Sequence, residues 1–287
     1  MNASSGLPLH ISTLADARAL EACARRTETK CGDGRMVWRI WGEGAPVVLL
    51  HGGSGSWAHW VRNIAPLVQA GREVHVPDLP GCGESDMPPV GHDGDVLPEW
   101  VETGVQSLLG STLFDLVGFS FGAMVSGFYA AHYANRVRKL ILVGAPALSR
   151  EAPPKIALQE WLRLPDGPQR DAAFRYNLRL LMLARDDSVD DLSLTLYVES
   201  LRRDRLTARR IARTDILLRT MPQIRCPVWG LWGADDILYR GRFDVAESGL
   251  RHAPDFRSTT LIAGAGHWAQ FEEADAFNGA LRSILAE

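Results

Sequence analysis

Cysteine is scarce and scattered. Cys23, Cys31, Cys82 and Cys226 form no CxxC pair, and no histidine stands near them at zinc-like spacing. That pattern argues against a metal site and against a disulfide framework, leaving reduced thiols as the expectation. Net charge is nearly absent too: 31 basic against 34 acidic residues leave −3, no electrostatic footprint for nucleic acid or an anionic membrane. No apolar run approaches the roughly 20 residues that cross a bilayer. Met1 to Ser12 has neither a basic cluster nor a continuous apolar stretch, so it does not read as a signal peptide, and a cytoplasmic protein is the expectation. Repeats and low-complexity segments are missing as well. What remains is a globular chain of 287 residues, suited to one large domain or a domain carrying an insertion.

The organisation emerges from short apolar runs. Residues 1–30 read as an N-terminal helical extension, with Ala, Glu and Arg concentrated between Asp16 and Arg26. Strand composition follows at Met36 to Trp41. Val47 to Leu50 is a continuous apolar run flanked by Gly and Pro, as expected of a strand buried on both faces. Trp57, Trp60, Val61, Ile64, Leu67 and Val68 recur at helical spacing, closed by Gly71. The alternation repeats: strand Val74–Val76, helix Pro98–Leu109, strand Leu113–Val117, helix Phe121–Tyr133, strand Leu140–Val143. Such a rhythm predicts an α/β fold, a mostly parallel sheet with helices on both faces. It breaks near Pro146. From 148 to 222 only helical patterns appear, at Phe174–Leu183 and Asp191–Leu201, and they predict a helical lid over the carboxyl edge of the sheet. The rhythm resumes from 223 with strand Val228–Trp232, helix Phe243–Leu250, strand Thr259–Ile262 and a terminal helix to Leu285. The core is therefore expected in two parts, 31–147 and 223–287.

Gly118-Phe119-Ser120-Phe121-Gly122 matches G-x-S-x-G. Five residues alone are a weak signal, since a serine capping an ordinary helix would match as well. Position strengthens the match, because it stands between an apolar strand and a helix rich in small residues. A sharp strand-to-helix corner forces the serine into a strained backbone and pushes its hydroxyl outward. The residues two before and two after crowd together, which suits Gly118 and Gly122. Helix amides beyond Ser120 point at the site and stabilise negative charge.

With these residues the chain, from about Met36 to Leu285, resembles the α/β-hydrolase family. His51-Gly52-Gly53-Ser54 stands where that family builds half of its oxyanion hole. Asp78-Leu79-Pro80-Gly81-Cys82-Gly83-Glu84-Ser85 looks like its structural D-x-P-G-x-G-x-S loop. The resemblance implies a Ser-His-Asp triad with Ser120 as nucleophile. A serine hydroxyl is a poor nucleophile at neutral pH until a base takes its proton. Among eight histidines, His267 sits in Gly264-Ala265-Gly266-His267-Trp268 directly after the last expected strand, where family members keep that base. His51 reads as backbone support, His75 lies inside a strand, His132 is behind the serine, and His10, His92 and His252 have no motif around them. The family pattern G-x-x-D lands on Asp236, with Asp235 as the alternative or a turn residue. Asp115 reads as structural. Backbone amides of Gly53 and Phe121 are the expected oxyanion donors, each typically contributing about 3 kcal/mol. The implied chemistry needs no metal or organic cofactor. Serine at 120 argues against the haloalkane dehalogenase and epoxide hydrolase branches, which use a carboxylate there.

The substrate is less legible. Gly266-His267-Trp268-Ala269-Gln270-Phe271-Glu272, running on to Phe277-Asn278, is similar to the ending of the meta-cleavage-product hydrolases, which cut carbon–carbon bonds in vinylogous keto acids. Two departures point the other way: Phe119 stands where that group has Asn, and Ser54-Gly55-Ser56-Trp57 replaces its Gly-Pro-Gly stretch. An ester or lactone of a small molecule is therefore the first expectation and carbon–carbon hydrolysis the second. A non-catalytic ligand-binding protein is the alternative of another class. Ser54, His59, Phe119 and Trp268 are the candidate substrate contacts, against core packing of Trp60 and a solvated His59. Arg175, Arg179 and Arg185 are candidates for a substrate carboxylate, but their region carries nearly as many acidic residues, which favours a solvated ion-paired face. No nucleic-acid or membrane partner is expected, and a homodimer stays open.

Overall fold

A computed structural model describes residues 6–287. Helix α1 (Leu14–Ala22) opens with a capping box, Thr13 and Asp16 each bonding the other's backbone amide. Strands β1 (Arg25–Cys31) and β2 (Gly34–Trp41) form a hairpin. They are followed by β3 (Ala45–Leu50), α2 (Ile64–Gln69), β4 (Arg72–Pro77), α3 (Leu97–Leu109), β5 (Phe114–Phe119), α4 (Phe121–His132) and β6 (Val137–Val143). Next come α5 (Pro168–Leu181), α6 (Asp191–Arg202) and α7 (Ile216–Thr220). The chain ends with β7 (Val228–Gly233), α8 (Phe243–Leu250), β8 (Phe256–Ile262), α9 (Ala269–Glu272) and α10 (Ala274–Ala286).

The eight strands lie in one sheet in the order β1-β2-β4-β3-β5-β6-β7-β8. β2 pairs antiparallel with β1 and β4, and all other pairs are parallel. Period-two alternation divides the core. Val47, Leu49, Val117, Ile141 and Leu231 face one side with α2 and α10. Val48, Leu50, Leu116, Leu140 and Val228 face the other with α3 and α4. Both faces are dry, which is why these strands carry continuous apolar runs. No helix of the described residues is long and apolar enough to cross a membrane.

The structure corrects three readings. The expected helical extension ends at Ala22, and 25–31 is an edge strand; residues 1–5 of that extension lie outside the described residues. Its sequence, RRTETKC, is polar because most of it faces water, and polar residues without an apolar stripe carry no strand signal. The expected helix over Trp57–Val68 is a 3-10 turn at Trp57–Trp60 and then α2. The break falls where the Asn63 side chain turns away to donate to the Gln270 carbonyl and the Asn278 amide oxygen. The region between β6 and β7 is not uniformly helical: residues 150–166 are irregular, with isolated bends and turns and no helix. Its last helix, α7, returns to the core, where Leu217 is fully buried against Gly127 of α4.

Candidate active site

Ser120 stands at the carboxyl end of β5 with φ +52, a left-handed conformation that costs an L residue roughly 1–2 kcal/mol. The surroundings hold it there. A Cβ on Gly118 would meet the Ser126 hydroxyl at 2.3 Å and the Gly122 carbonyl at 2.4 Å, and one on Gly122 would meet the His51 carbonyl at 2.3 Å. Only glycine permits that crossing. The Ser120 amide donates to the Val143 carbonyl at 2.7 Å, which fixes the corner to β6.

His267 arrives from the loop after β8. Its Nε2 is 2.8 Å from the Ser120 Oγ, and its Nδ1 is 2.8 Å from Oδ2 of Asp236. Asp236 is fully buried, and its other oxygen accepts from the Leu238 amide at 2.9 Å. Asp235 instead turns outward to Arg240 at 3.2 Å. The three side chains converge from β5, the loop after β7 and the loop after β8. Beside these three, sequence reading missed Gly144. It follows β6 with φ +55, and a Cβ there would stand 3.0 Å from Cε1 of His267 and 3.4 Å from the Asp236 carboxylate. A glycine ending a core strand at the sheet's carboxyl edge was the available signal.

The turn after β3 lies beside the corner, since a Cβ on Gly52 would be 3.2 Å from that of Ser120. His51 is structural: its Nδ1 lies 2.7 Å from the Gly52 carbonyl and its Nε2 accepts from the Leu79 amide at 2.8 Å. The Gly52 amide donates to Nδ1 of His59 at 3.1 Å. That bond requires a lone pair on Nδ1, so the His59 proton sits on Nε2. Burial holds His59 well below the usual imidazole range and keeps it neutral. Among the described residues, the amides of Gly53 and Phe121 are not spent on hydrogen bonds within the protein.

Phe119 is fully buried, its ring 5.0 Å from that of His267 and 5.2 Å from that of His59. Trp268 is fully buried as well, stacked on Phe271 and donating from its indole to the His59 carbonyl at 2.9 Å. It backs His59 rather than facing open space. Trp60 is core. The Ser54 hydroxyl is engaged by Asp204 and Arg209, two residues the sequence reading did not single out because their partner lies 150 positions away. Arg175, Arg179 and Arg185 pair with Asp191, Asp186 and Asp187 on the surface. His75 bonds Glu73, and Asp115 binds Arg72 and Arg138, all away from the site. The Asp78–Ser85 loop is scaffolding: Asp78 accepts from the amides of Trp57 and Glu84, and the Ser85 hydroxyl bridges the Asp78 carbonyl and the Val37 amide. Burial pushes the Cys82 thiol up to about 12, which keeps it protonated and unreactive.

A cavity of about 490 Å³ rises from Gly53, Ser54 and His59. Residues between β6 and β7 wall it, among them Trp161, Tyr197 and Arg209. Glu272 ties that wall to the histidine loop. Its buried carboxylate accepts from the amides of Ala184, Arg185 and Gly266, and the Trp268 amide donates to the Met182 carbonyl at 2.7 Å.

An eight-stranded, mostly parallel sheet carrying this corner and this relay belongs to the α/β-hydrolase fold family, whose pattern matches residues 45–229. Among named relatives, the 2-hydroxy-6-oxononadienedioate/2-hydroxy-6-oxononatrienedioate hydrolase of Comamonas testosteroni is 29% identical over 260 residues, covering 85% of this chain and 89% of its own. Two solved structures share the fold. A thermophilic esterase from Thermogutta terrifontis is 21% identical with a TM-score of 0.67, covering 92% of this chain and 98% of its own. A meta-cleavage product hydrolase from Pseudomonas fluorescens is 19% identical with a TM-score of 0.71, covering 91% and 97%.

Proposed function

We propose that this chain is a serine hydrolase with Ser120 as nucleophile, His267 as base and Asp236 as the acid behind it, and that its substrate is a 2-hydroxy-6-oxo-dienoate cleaved at a carbon–carbon bond. The observation carrying the first part is the unbroken chain of 2.8 Å contacts from Asp236 through His267 to Ser120. The relatives named for dienoate hydrolysis, similar over most of the chain, support the second part. Phe119 and Ser54 favour an ester or lactone on local grounds, and the relatives favour the dienoate. Similarity spread over some 260 residues outweighs two local replacements.

In this reading His267 takes the Ser120 proton as Oγ attacks the 6-oxo carbon. The carbonyl electron pair moves to oxygen and is met by the amides of Gly53 and Phe121. Collapse acts on the 2-oxo-3-ene tautomer of the substrate, formed when the 2-hydroxyl gives up its proton and C5 takes one up. It breaks the C5–C6 bond, and the electron pair passes through the C3–C4 double bond into the 2-oxo group, leaving a dienolate. Asp236 stabilises the imidazolium, which protonates that carbon leaving group. Water, deprotonated by His267, then releases the acid from Ser120. The segment between β6 and β7 serves as a lid over the cavity.

The test compares a 2-hydroxy-6-oxo-6-phenylhexa-2,4-dienoate, a series of p-nitrophenyl esters and a lactone, with a fluorophosphonate label in parallel. Labelling of Ser120 and a clear preference for the dienoate are expected. Faster turnover of esters would return the ester reading to first place. An unlabelled Ser120 with no turnover would leave a binding protein.

A further inference from the structure

The turn carrying Gly53 is held from far along the chain. Ser54 has φ +50, where glycine would sit without strain and serine does not. Its hydroxyl is the centre of a closed ring. It donates to Oδ2 of Asp204 at 2.6 Å and accepts from Nη1 of Arg209 at 3.0 Å, while Nη2 of Arg209 donates to Oδ1 of Asp204 at 2.6 Å. Charge on both ionic partners shortens and strengthens such bonds. Arg209 then crosses the turn: a Cβ on Gly53 would meet its Nε at 3.1 Å and its Cζ at 3.3 Å. The same Cζ lies 5.3 Å from the centre of the Phe121 ring. One guanidinium therefore lies over Gly53 and within cation–π range of Phe121, the two residues whose amides are unspent.

The other restraints hold the two ends of the turn, Gly52 before it and Gly55 after it. The Gly52 amide is held by His59, and the Gly55 amide donates to the Gly52 carbonyl at 3.2 Å. Nothing else in the described hydrogen bonding holds the Ser54 side chain. We infer that Asp204 and Arg209 are positioning residues, which fix the Gly53 amide toward the oxyanion by clamping Ser54. This rests on the reading of Ser120 as nucleophile and of Gly53 as oxyanion donor. A serine in a strained conformation is explained if its hydroxyl is needed for that clamp. The clamp also joins the oxyanion turn to the segment that walls the cavity, so the turn is complete only when that segment is seated.

The experiment uses the full chain with Ser54→Gly, Asp204→Asn, Arg209→Gln and Arg209→Lys, on whichever substrate the wild type turns over. Deleting an oxyanion donor outright costs about 10²–10³ in kcat, so loosening one should cost about tenfold or more. Expected is that loss in kcat with KM changed less than about threefold. Affinity for a trifluoromethyl ketone, which forms an oxyanion on serine, should fall by the same factor, and Arg209→Lys should recover part of it. Ser54→Gly relieves strain, so its loss of kcat cannot be put down to misfolding. Unchanged kcat in folded Ser54→Gly and Arg209→Gln overturns the clamp. So does a rise in KM with unchanged ketone affinity, which would make Arg209 a substrate contact. Retained turnover in Ser120→Ala would instead sink the nucleophile reading on which the clamp rests.

Discussion

Gly144→Ala tests whether the relay is held as tightly as its distances suggest. The new methyl would lie 3.0 Å from Cε1 and 3.1 Å from Nδ1 of His267, where carbon contacts prefer about 3.5–4.0 Å. The imidazole would have to yield by about half an ångström. A displacement of 1 Å at a reacting group costs about a hundredfold, so about tenfold in kcat is expected here. The left-handed backbone at φ +55 adds about 1–2 kcal/mol of destabilisation for alanine. For a domain of this size that lowers Tm by roughly 2–8 °C. Steady-state kinetics and a thermal melt on the same preparation read both effects. Gly279→Ala is the control: it lies inside α10 with nothing within 4 Å of the added methyl, so it should keep activity and gain about 0.5–1 kcal/mol. A Gly144→Ala enzyme with lowered Tm but kcat within twofold of wild type would refute the claim that this glycine makes room for the relay.

Asp236→Asn should leave the fold intact and lower kcat by about 10³-fold. A carboxylate and an imidazolium with charges about 4 Å apart interact by about 4 kcal/mol at an effective dielectric of 20, and a loss under tenfold would argue against Asp236 as the acid. His59, His51 and His75 all have lowered values, burial being the first cause, so the unfolded chain binds protons that the folded one refuses. Stability should therefore be full above the unfolded value of about 6.5 and fall as pH drops below it. Urea midpoints at pH 7.5 and pH 5 should differ less in His59→Gln than in wild type, and an unchanged difference would mean that His59 is not held neutral.

The parts of this site that sequence reading reached are those with local causes. Ser120 was legible because its corner needs glycine at 118 and 122 within five residues. His267 was legible because a glycine loop follows the last core strand. Asp236 could be ranked above Asp235 only by family pattern, since both stand in the same turn and the choice is made by which carboxylate faces inward. Gly144, Asp204 and Arg209 act through contacts closed by the fold, 123, 150 and 155 positions from His267 or Ser54. No periodicity marks such pairs. The misread edge strand β1 has a related cause: most of its residues face water, so it lacks the apolar alternation that revealed the buried strands. Ser54 illustrates a subtler limit. Its position beside the oxyanion glycines suggested a substrate contact, but an available hydroxyl had already been taken by an ion pair.

Glu272 has a consequence for how this pocket can change. One carboxylate knots the backbone at Ala184 and Arg185 to the backbone just before His267. The ceiling of the cavity and the loop that carries His267 thus share an anchor. Substitutions around Leu158 to Leu162, or on the inner face of α6, can widen or narrow the space without disturbing the imidazole. A change that drags residues 182–185 cannot, because it pulls His267 along with the wall. Reshaping this protein for other substrates should therefore begin at the distal rim and leave that knot untouched.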